Sequence, residues 1–218
     1  MKRPDTFVVG AFKSGTTALY EYLRAHPQIF MCVPKEPMYF GADLTPRYRR
    51  MTEQEYLALF ADAQPGQRAG EASPWYLYSH SAPAEIAHFA PDARIIVMLR
   101  NPVDVMHAQH GQLVFNRRED ITDFAAALEA EPARRRGERI PGDAIRPEAL
   151  YYRHSVHFAE QQLAEGRVTP GADDEIGVGR GDVAAAALAR PHDEPADRLV
   201  EGDVVDGQAI DLDHSGRA

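Results

Sequence analysis

The run Arg94-Ile95-Ile96-Val97-Met98-Leu99 constrains this chain more than any other segment, because five successive apolar residues leave neither face of a strand to water. A strand of that kind is covered on both sides, as in a parallel sheet with helices packed on each face. Pro91-Asp92 turns the chain into it and Pro102 follows it, which bounds it as a strand. A second β-rich run, Phe7-Val8-Val9, ends at Gly10. A polar turn follows, and then residues 16–25 place Leu19, Tyr22 and Leu23 at helical spacing. The chain therefore opens as strand, loop, helix.

Further helices are expected by the same reasoning. Over 53–63, Tyr56, Leu57, Leu59 and Phe60 recur at three and four residues behind a Thr52-x-x-Glu55 capping box, and Pro65-Gly66 ends the run. Others are expected over 81–89, from Val103 to about Phe115 behind Pro102, over 123–131, and from Glu148 to about Ala164. The order β-α-α-α-β-α-α implies an α/β fold, a three-layer parallel sheet with flanking helices. Residues 134–147 hold Arg134-Arg135-Arg136, Pro141-Gly142 and Arg146-Pro147, a basic irregular loop whose charges are read as solvated rather than functional. The chain shows no internal repeat.

Composition narrows the function classes. No apolar run approaches the roughly 20 residues of a transmembrane helix, and Met1-Lys2-Arg3 is not followed by the apolar stretch of a secretory signal. Cys32 is the only cysteine, so a disulfide framework and a thiolate zinc site are out and a cytosolic, cytoplasmic location is the expectation. A net charge of -9 argues against a nucleic-acid partner. The charge is uneven: residues 166–218 hold 12 Asp/Glu against 5 Arg, and all 19 aromatic residues lie at or before Phe158. Without aromatic residues or a sustained period, 166–218 reads as an acidic, Gly/Ala/Asp-rich, disordered tail behind an α/β domain over 1–165.

Gly10-Ala11-Phe12-Lys13-Ser14-Gly15-Thr16-Thr17 joins the first strand to the first helix, where backbone N-H groups and the helix dipole make an anion site. The glycines allow a tight turn and close approach of a phosphate, the threonines offer hydroxyls, and Lys13 brings a point charge. As a nucleotide P-loop the octapeptide fails, because the lysine precedes Gly15 by two residues where that motif has it directly after the glycine. A kinase is accordingly the weaker reading. Taken alone, the octapeptide is equally a glycine-rich turn with an incidental lysine.

Three further segments change that balance. Val8 to Pro27 closely resembles the 5'-phosphosulfate-binding segment of the sulfotransferase family, whose donor is 3'-phosphoadenylyl sulfate (PAPS). Lys35-Glu36-Pro37-Met38-Tyr39-Phe40 resembles the acceptor-side motif of its carbohydrate-type and bacterial members, and Glu71-Ala72-Ser73-Pro74-Trp75-Tyr76 their next segment. Leu99-Arg100-Asn101-Pro102-Val103-Asp104 resembles the start of the 3'-phosphate-binding segment. These four ordered matches cover roughly residues 6–158. The family's later segments, with a closing Trp-Lys pair, have no counterpart after about Gln162, where the composition is what a reading-frame change would leave.

The resemblance implies a role for each matched residue. Lys13 would hydrogen-bond the bridging oxygen as charge develops on the leaving phosphate, while Ser14, Gly15, Thr16 and Thr17 cradle the 5'-phosphate. Glu36 would be the general base, its carboxylate buried enough to hold a proton near neutrality; the plainer reading makes it a partner for Lys35. Arg100 would grip the 3'-phosphate at the end of a buried strand, or else pair with Asp104. The family usually carries a serine eight residues after that arginine; here stands Ala108, and His107 is the neighbour to replace its hydrogen bond. Trp75 and Tyr76 form either an acceptor wall or part of the core. His26 reads as a helix-end residue, and His107 and His110, three apart on one helix, could face the site. The implied co-substrate is PAPS, with no metal, and the implied acceptor is a hydroxyl of a carbohydrate, lipid or small molecule. The alternative is a truncated, inactive relative that binds nucleotide weakly or not at all.

Overall fold

The computed structural model describes residues 2–45, 49–158 and 183–185. Strand β1 (Thr6–Gly10) is buried along its whole length and pairs in parallel with β3 (Arg68–Ala72) on one side and β4 (Arg94–Val97) on the other. β2 (Ile29–Met31) lies outside β3, and β5 (Val183–Ala185) pairs in parallel with β4, giving the order β2-β3-β1-β4-β5. The expected α/β class is the one observed.

Alternate residues of β1 face opposite layers, as the two-residue period of a strand requires. Phe7 and Val9 pack with Phe40, Tyr56, Phe60, Tyr76 and Ile86, the layer carrying α2 (Glu53–Ala58) and α3 (Ala82–Phe89). Val8 faces the other way, against Tyr20 of α1 (Thr16–Ala25), Met31 and Ala72. A separate cluster of Leu113, Ala127, Leu150 and Tyr152 joins α4 (Pro102–Phe115) to α5 (Phe124–Arg135).

Three strands escape the sequence reading: β5, which falls in the segment expected to be a disordered tail, and β2 and β3. β2 is three residues long, and β3 is Arg-Ala-Gly-Glu-Ala, without one β-branched or aromatic residue. Crowding explains its small residues. A Cβ on Gly70 would stand 2.9 Å from both the Met31 sulfur and the Thr6 carbonyl oxygen, and one on Gly10 would stand 2.6 Å from Leu77 Cβ.

Several expected boundaries move. The capping box of Thr52 and Glu55 forms, but the α-helix ends at Ala58, and the amides of Leu59, Phe60, Ala61 and Ala63 bond carbonyls three residues back. The helix expected from Glu148 is replaced, among the described residues, by 3-10 turns at Pro147–Leu150 and His154–Val156. The Glu131 carboxylate takes the amides of Arg153 (2.8 Å) and His154 (3.0 Å), which a continuous helix would spend on its own carbonyls. Residues 159–164 of that helix lie outside the described residues.

The basic loop is solvated as expected at Arg135 and Arg136, but not at Arg134. α5 runs on to Arg135, and Arg134 is fully buried. Its guanidinium forms a two-pronged pair with Glu119, at 2.6 and 2.7 Å, and Tyr152 donates to the same carboxylate at 2.7 Å. Of the segment expected to be a disordered tail, only Val183–Ala185 is described, and there it is a strand paired in parallel with β4. The chain divides into Met1–Ala187 and Leu188–Ala218, the second wholly outside the described residues. Among the described residues no helix is long and apolar enough to cross a membrane.

Because the Arg134–Glu119 pair has no exposed side-chain surface, Glu119→Ala strands a buried guanidinium. Urea unfolding should show a loss of about 3–5 kcal/mol for that variant, and Glu119→Leu combined with Arg134→Met should recover most of it.

Candidate active site

All four segments singled out in the sequence leave the sheet at one end. Lys13 follows β1, Glu36 follows β2, Trp75 follows β3 and Arg100 follows β4, so each stands just beyond the carboxyl end of a parallel strand. That is where ligands bind in open α/β sheets. A cleft of about 860 Å³ lies there, lined by Lys13, Gly15, Thr16, Thr17, Lys35, Glu36, Trp75 and Arg100.

The loop after β1 is built for an anion. Gly15 takes φ 86°, a left-handed conformation that glycine adopts without strain, and no side chain caps the amino terminus of α1 behind it. The Ser14 hydroxyl oxygen is buried and makes no hydrogen bond among the described residues. A buried polar group without a partner is costly, which makes it a poised donor for a bound oxyanion. Gly15, Thr16 and Thr17 line the cleft, and Ser14 is not among the lining residues.

Lys13 itself holds φ 60°, and its ammonium donates to Gln112 Oε1 of α4 at 2.9 Å. Burial, and then the positive charges of Arg100 and Lys35, hold its pKa below the ordinary lysine value. Arg100 lies 3.5 Å from Asp104 one helical turn on, and Nη1 donates to the Lys13 carbonyl at 3.5 Å. The pairing with Asp104 and the place in the cleft are thus compatible.

Glu36 departs from the expected burial. Its side chain keeps 42% of its exposure and pairs with Lys35 at 2.7 Å, because its left-handed backbone (φ 61°) turns it outward while its amide donates to the Ala72 carbonyl. Tyr76 is a correction. It is 1% exposed, its hydroxyl is committed to Glu71 and the Phe40 amide, and it does not line the cleft. Trp75 alone of that pair is a cleft wall, stacked on Phe12 at 4.7 Å with the Arg146 guanidinium over its ring at 4.8 Å.

His107 does not reach the cleft either, since its ring packs on Phe124 at 3.9 Å. His110 is buried with Nε2 2.8 Å from the Ile121 carbonyl oxygen, and His26 ends α1, accepting from the Gln28 amide. The residues facing the site beside Ala108 are Gln109 and Gln112. Gln112 was findable, because it stands four residues after Ala108 on the same helix face. The sequence reading also passed over Arg49, Arg50, Arg118 and Arg146, which join Lys13, Lys35 and Arg100 in the lining. These seven cations face a single carboxylate, Glu36, among the described lining residues.

One cleft at the carboxyl end of a parallel sheet thus holds the loop after β1, a lysine, an arginine and one carboxylate, an arrangement suited to an anionic ligand. The comparisons narrow the class. The sulfotransferase family profile matches residues 4–142, and the chain belongs to that family. It is 32% identical over 125 residues to mouse heparan sulfate glucosamine 3-O-sulfotransferase 3B1, covering 56% of this chain and 29% of the relative. Human heparan sulfate glucosamine 3-O-sulfotransferase 6 is 35% identical over 100 residues, 46% of this chain and 28% of the relative, so this chain spans less than a third of those curated relatives. The crystal structure of a sulfotransferase from Alicyclobacillus acidocaldarius superimposes with a TM-score of 0.66 at 31% identity, over 75% of this chain and 68% of that one.

The lysine environment is directly measurable, since Lys2, Lys13 and Lys35 are the chain's only lysines. In reductively methylated protein followed by NMR, the Lys13 signal should titrate below the ordinary 10.5, and Arg100→Ala should move that midpoint upward. A Lys13 midpoint at or above 10.5 would contradict the crowding of positive charge described here.

Proposed function

We propose that this protein transfers the sulfuryl group of 3'-phosphoadenylyl sulfate to a hydroxyl of an anionic carbohydrate. The observation that carries the reading is one cleft that brings together Lys13, the α1 amino-terminal loop and Arg100 with the carboxylate of Glu36. The residues present suit the donor. Its 5'-phosphosulfate would meet the loop and the Ser14 hydroxyl, and its 3'-phosphate would meet the guanidinium of Arg100. The carbohydrate acceptor is supported by the names of the relatives, ahead of a lipid or other small molecule. Its negative charge is supported by the excess of cations lining the cleft.

In the proposed reaction the acceptor oxygen forms a bond to sulfur as the bond from sulfur to the bridging oxygen breaks, and the electron pair leaves with the nucleotide phosphate. Lys13 stabilises the charge growing on that bridging oxygen. Glu36 takes the acceptor proton, which requires it to exchange Lys35 for the acceptor hydroxyl. The charge is met by side chains throughout, so the work is positioning and electrostatics, as in phosphoryl transfer. A cytoplasmic setting, resting on the single cysteine, belongs to the same proposal.

Calorimetric titration with adenosine 3',5'-bisphosphate tests the donor side, with micromolar binding expected and its loss in Lys13→Ala and Arg100→Ala. Absence of binding to folded protein would favour an inactive relative. Ala108 supplies no hydrogen bond to the 3'-phosphate, so Ala108→Ser should tighten binding by about tenfold. For the acceptor side, Glu36→Gln should lower turnover about 10²- to 10⁴-fold while leaving nucleotide affinity near wild type. A Glu36→Gln protein that transfers sulfate at the wild-type rate would remove the base from the mechanism.

A further inference from the structure

Glu71 is the one acidic side chain of β3, fully buried, and nothing in the proposed chemistry uses it. Its carboxylate accepts three hydroxyl protons: Ser73 at 2.6 Å on one oxygen, and Tyr56 at 2.6 Å and Tyr76 at 3.1 Å on the other. A hydroxyl has one proton to give. Spent on Glu71, it leaves the Ser73 and Tyr76 oxygens with lone pairs only, and both accept backbone amides of the segment that carries Glu36. Met38 N donates to Ser73 Oγ and Phe40 N to Tyr76 Oη, each at 3.2 Å. That segment needs restraint, because Glu36 (φ 61°) and Met38 (φ 52°) both hold left-handed backbone that side chains disfavour. Such conformations persist where the surroundings over-determine them.

We propose that Glu71 is a positioning residue for the base: by orienting the Ser73 and Tyr76 hydroxyls as acceptors, it fixes the 36–40 segment and with it the direction of the Glu36 carboxylate. The catalytic part of this statement rests on the sulfotransferase reading; the positioning part does not. Burial pushes the Glu71 carboxyl up to about 7, against the pull of its three hydroxyl donors. The titratable groups facing it are Tyr56 from α2, Tyr76 from the turn after β3, and Cys32 from the end of β2, all with their pKa values raised by burial and so neutral there. Above about 7, where the group is ionised, it can accept from all three hydroxyls and so aim two of them as acceptors toward the 36–40 segment.

The test compares wild type, Glu71→Gln and Ser73→Ala as full chains. Glutamine keeps the shape but presents an amide donor to hydroxyls that are already donors, so at least one of them gives up its bond to residue 71 and is no longer held in the orientation that accepts the Met38 or Phe40 amide. Hydrogen exchange at those two amides is expected to accelerate tenfold or more in Glu71→Gln, and at Met38 alone in Ser73→Ala. Sulfate release from 3'-phosphoadenylyl sulfate, with water as the acceptor, is expected to lose at least tenfold in kcat with the donor KM held within twofold. Unchanged exchange at both amides in both variants overturns the proposal. So does a parallel loss of kcat and of affinity for adenosine 3',5'-bisphosphate, which would mark general damage. Should Glu71→Gln fail to fold, Glu71→Asp, which keeps the charge but withdraws the carboxylate from its three hydroxyls, is read at the same two amides, and unchanged exchange at both overturns the proposal. If wild-type protein neither binds the nucleotide nor releases sulfate, the functional reading fails, while amide exchange still decides the positioning claim.

Discussion

The backbone of β1 hydrogen-bonds to β3 on one side and β4 on the other, in a register that sets Val8 opposite both Ala72 and Ile96. Because all these strands run the same way, their carboxyl ends come to one level, and the chain can leave the sheet there only through loops. The loop after β1, the Glu36 segment, the Trp75 turn and Arg100 are all such exits. The close fit is what keeps them together. With no room for a side chain at Gly10 or Gly70, the sheet and the Pro74–Leu77 turn approach until backbone nearly touches side chain.

Electrostatics builds on that geometry in two opposite ways. Inside the cleft, burial and then the charges of Arg100 and Lys35 hold Lys13 short of its usual basicity. Away from it, Arg134 and Glu119 are paired without any exposed surface and fasten α5 to the segment before it. The Arg100 guanidinium shows an intermediate case, resting on Asp104 while staying within reach of the loop carbonyl. Glu36, the one carboxylate among the described lining residues, is likewise paired, with Lys35.

Much of the fold was legible because its signals are local. The apolar run Ile95 to Leu99, the Gly10-to-Thr17 turn and the Thr52–Glu55 capping box each need only a few neighbouring residues to be recognised; the turn and the box are present as read, whereas β4 ends at Val97 with Ile95 and Ile96 only partly buried and Leu99 51% exposed. β2 and β3 were not legible. A three-residue strand carries no period, and Ala-Gly-Glu-Ala becomes a strand because neighbours on both sides supply its hydrogen bonds and forbid anything larger. The helix read from Glu148 onward failed for the converse reason: its apolar spacing was real, but Glu131, distant in sequence, took the amides it needed.

The sequence by itself determined the residue types of the site and their order along the chain: the lysine-bearing glycine loop, the Lys35-Glu36 step, the arginine after an apolar run, and the alanine in place of a serine. Tertiary structure alone decided which of two adjacent aromatics faces solvent, since Trp75 and Tyr76 sit one residue apart on a tight turn and point to opposite sides. It alone supplied Gln112 to Lys13 across 99 positions of chain, and Arg146 to Trp75. It alone placed a buried carboxylate at Glu71 beneath the Glu36 segment. The physical reason is one of range: turns, caps and periods are set by bonds to near neighbours, whereas burial and partnership depend on which surfaces the packed sheet brings into contact.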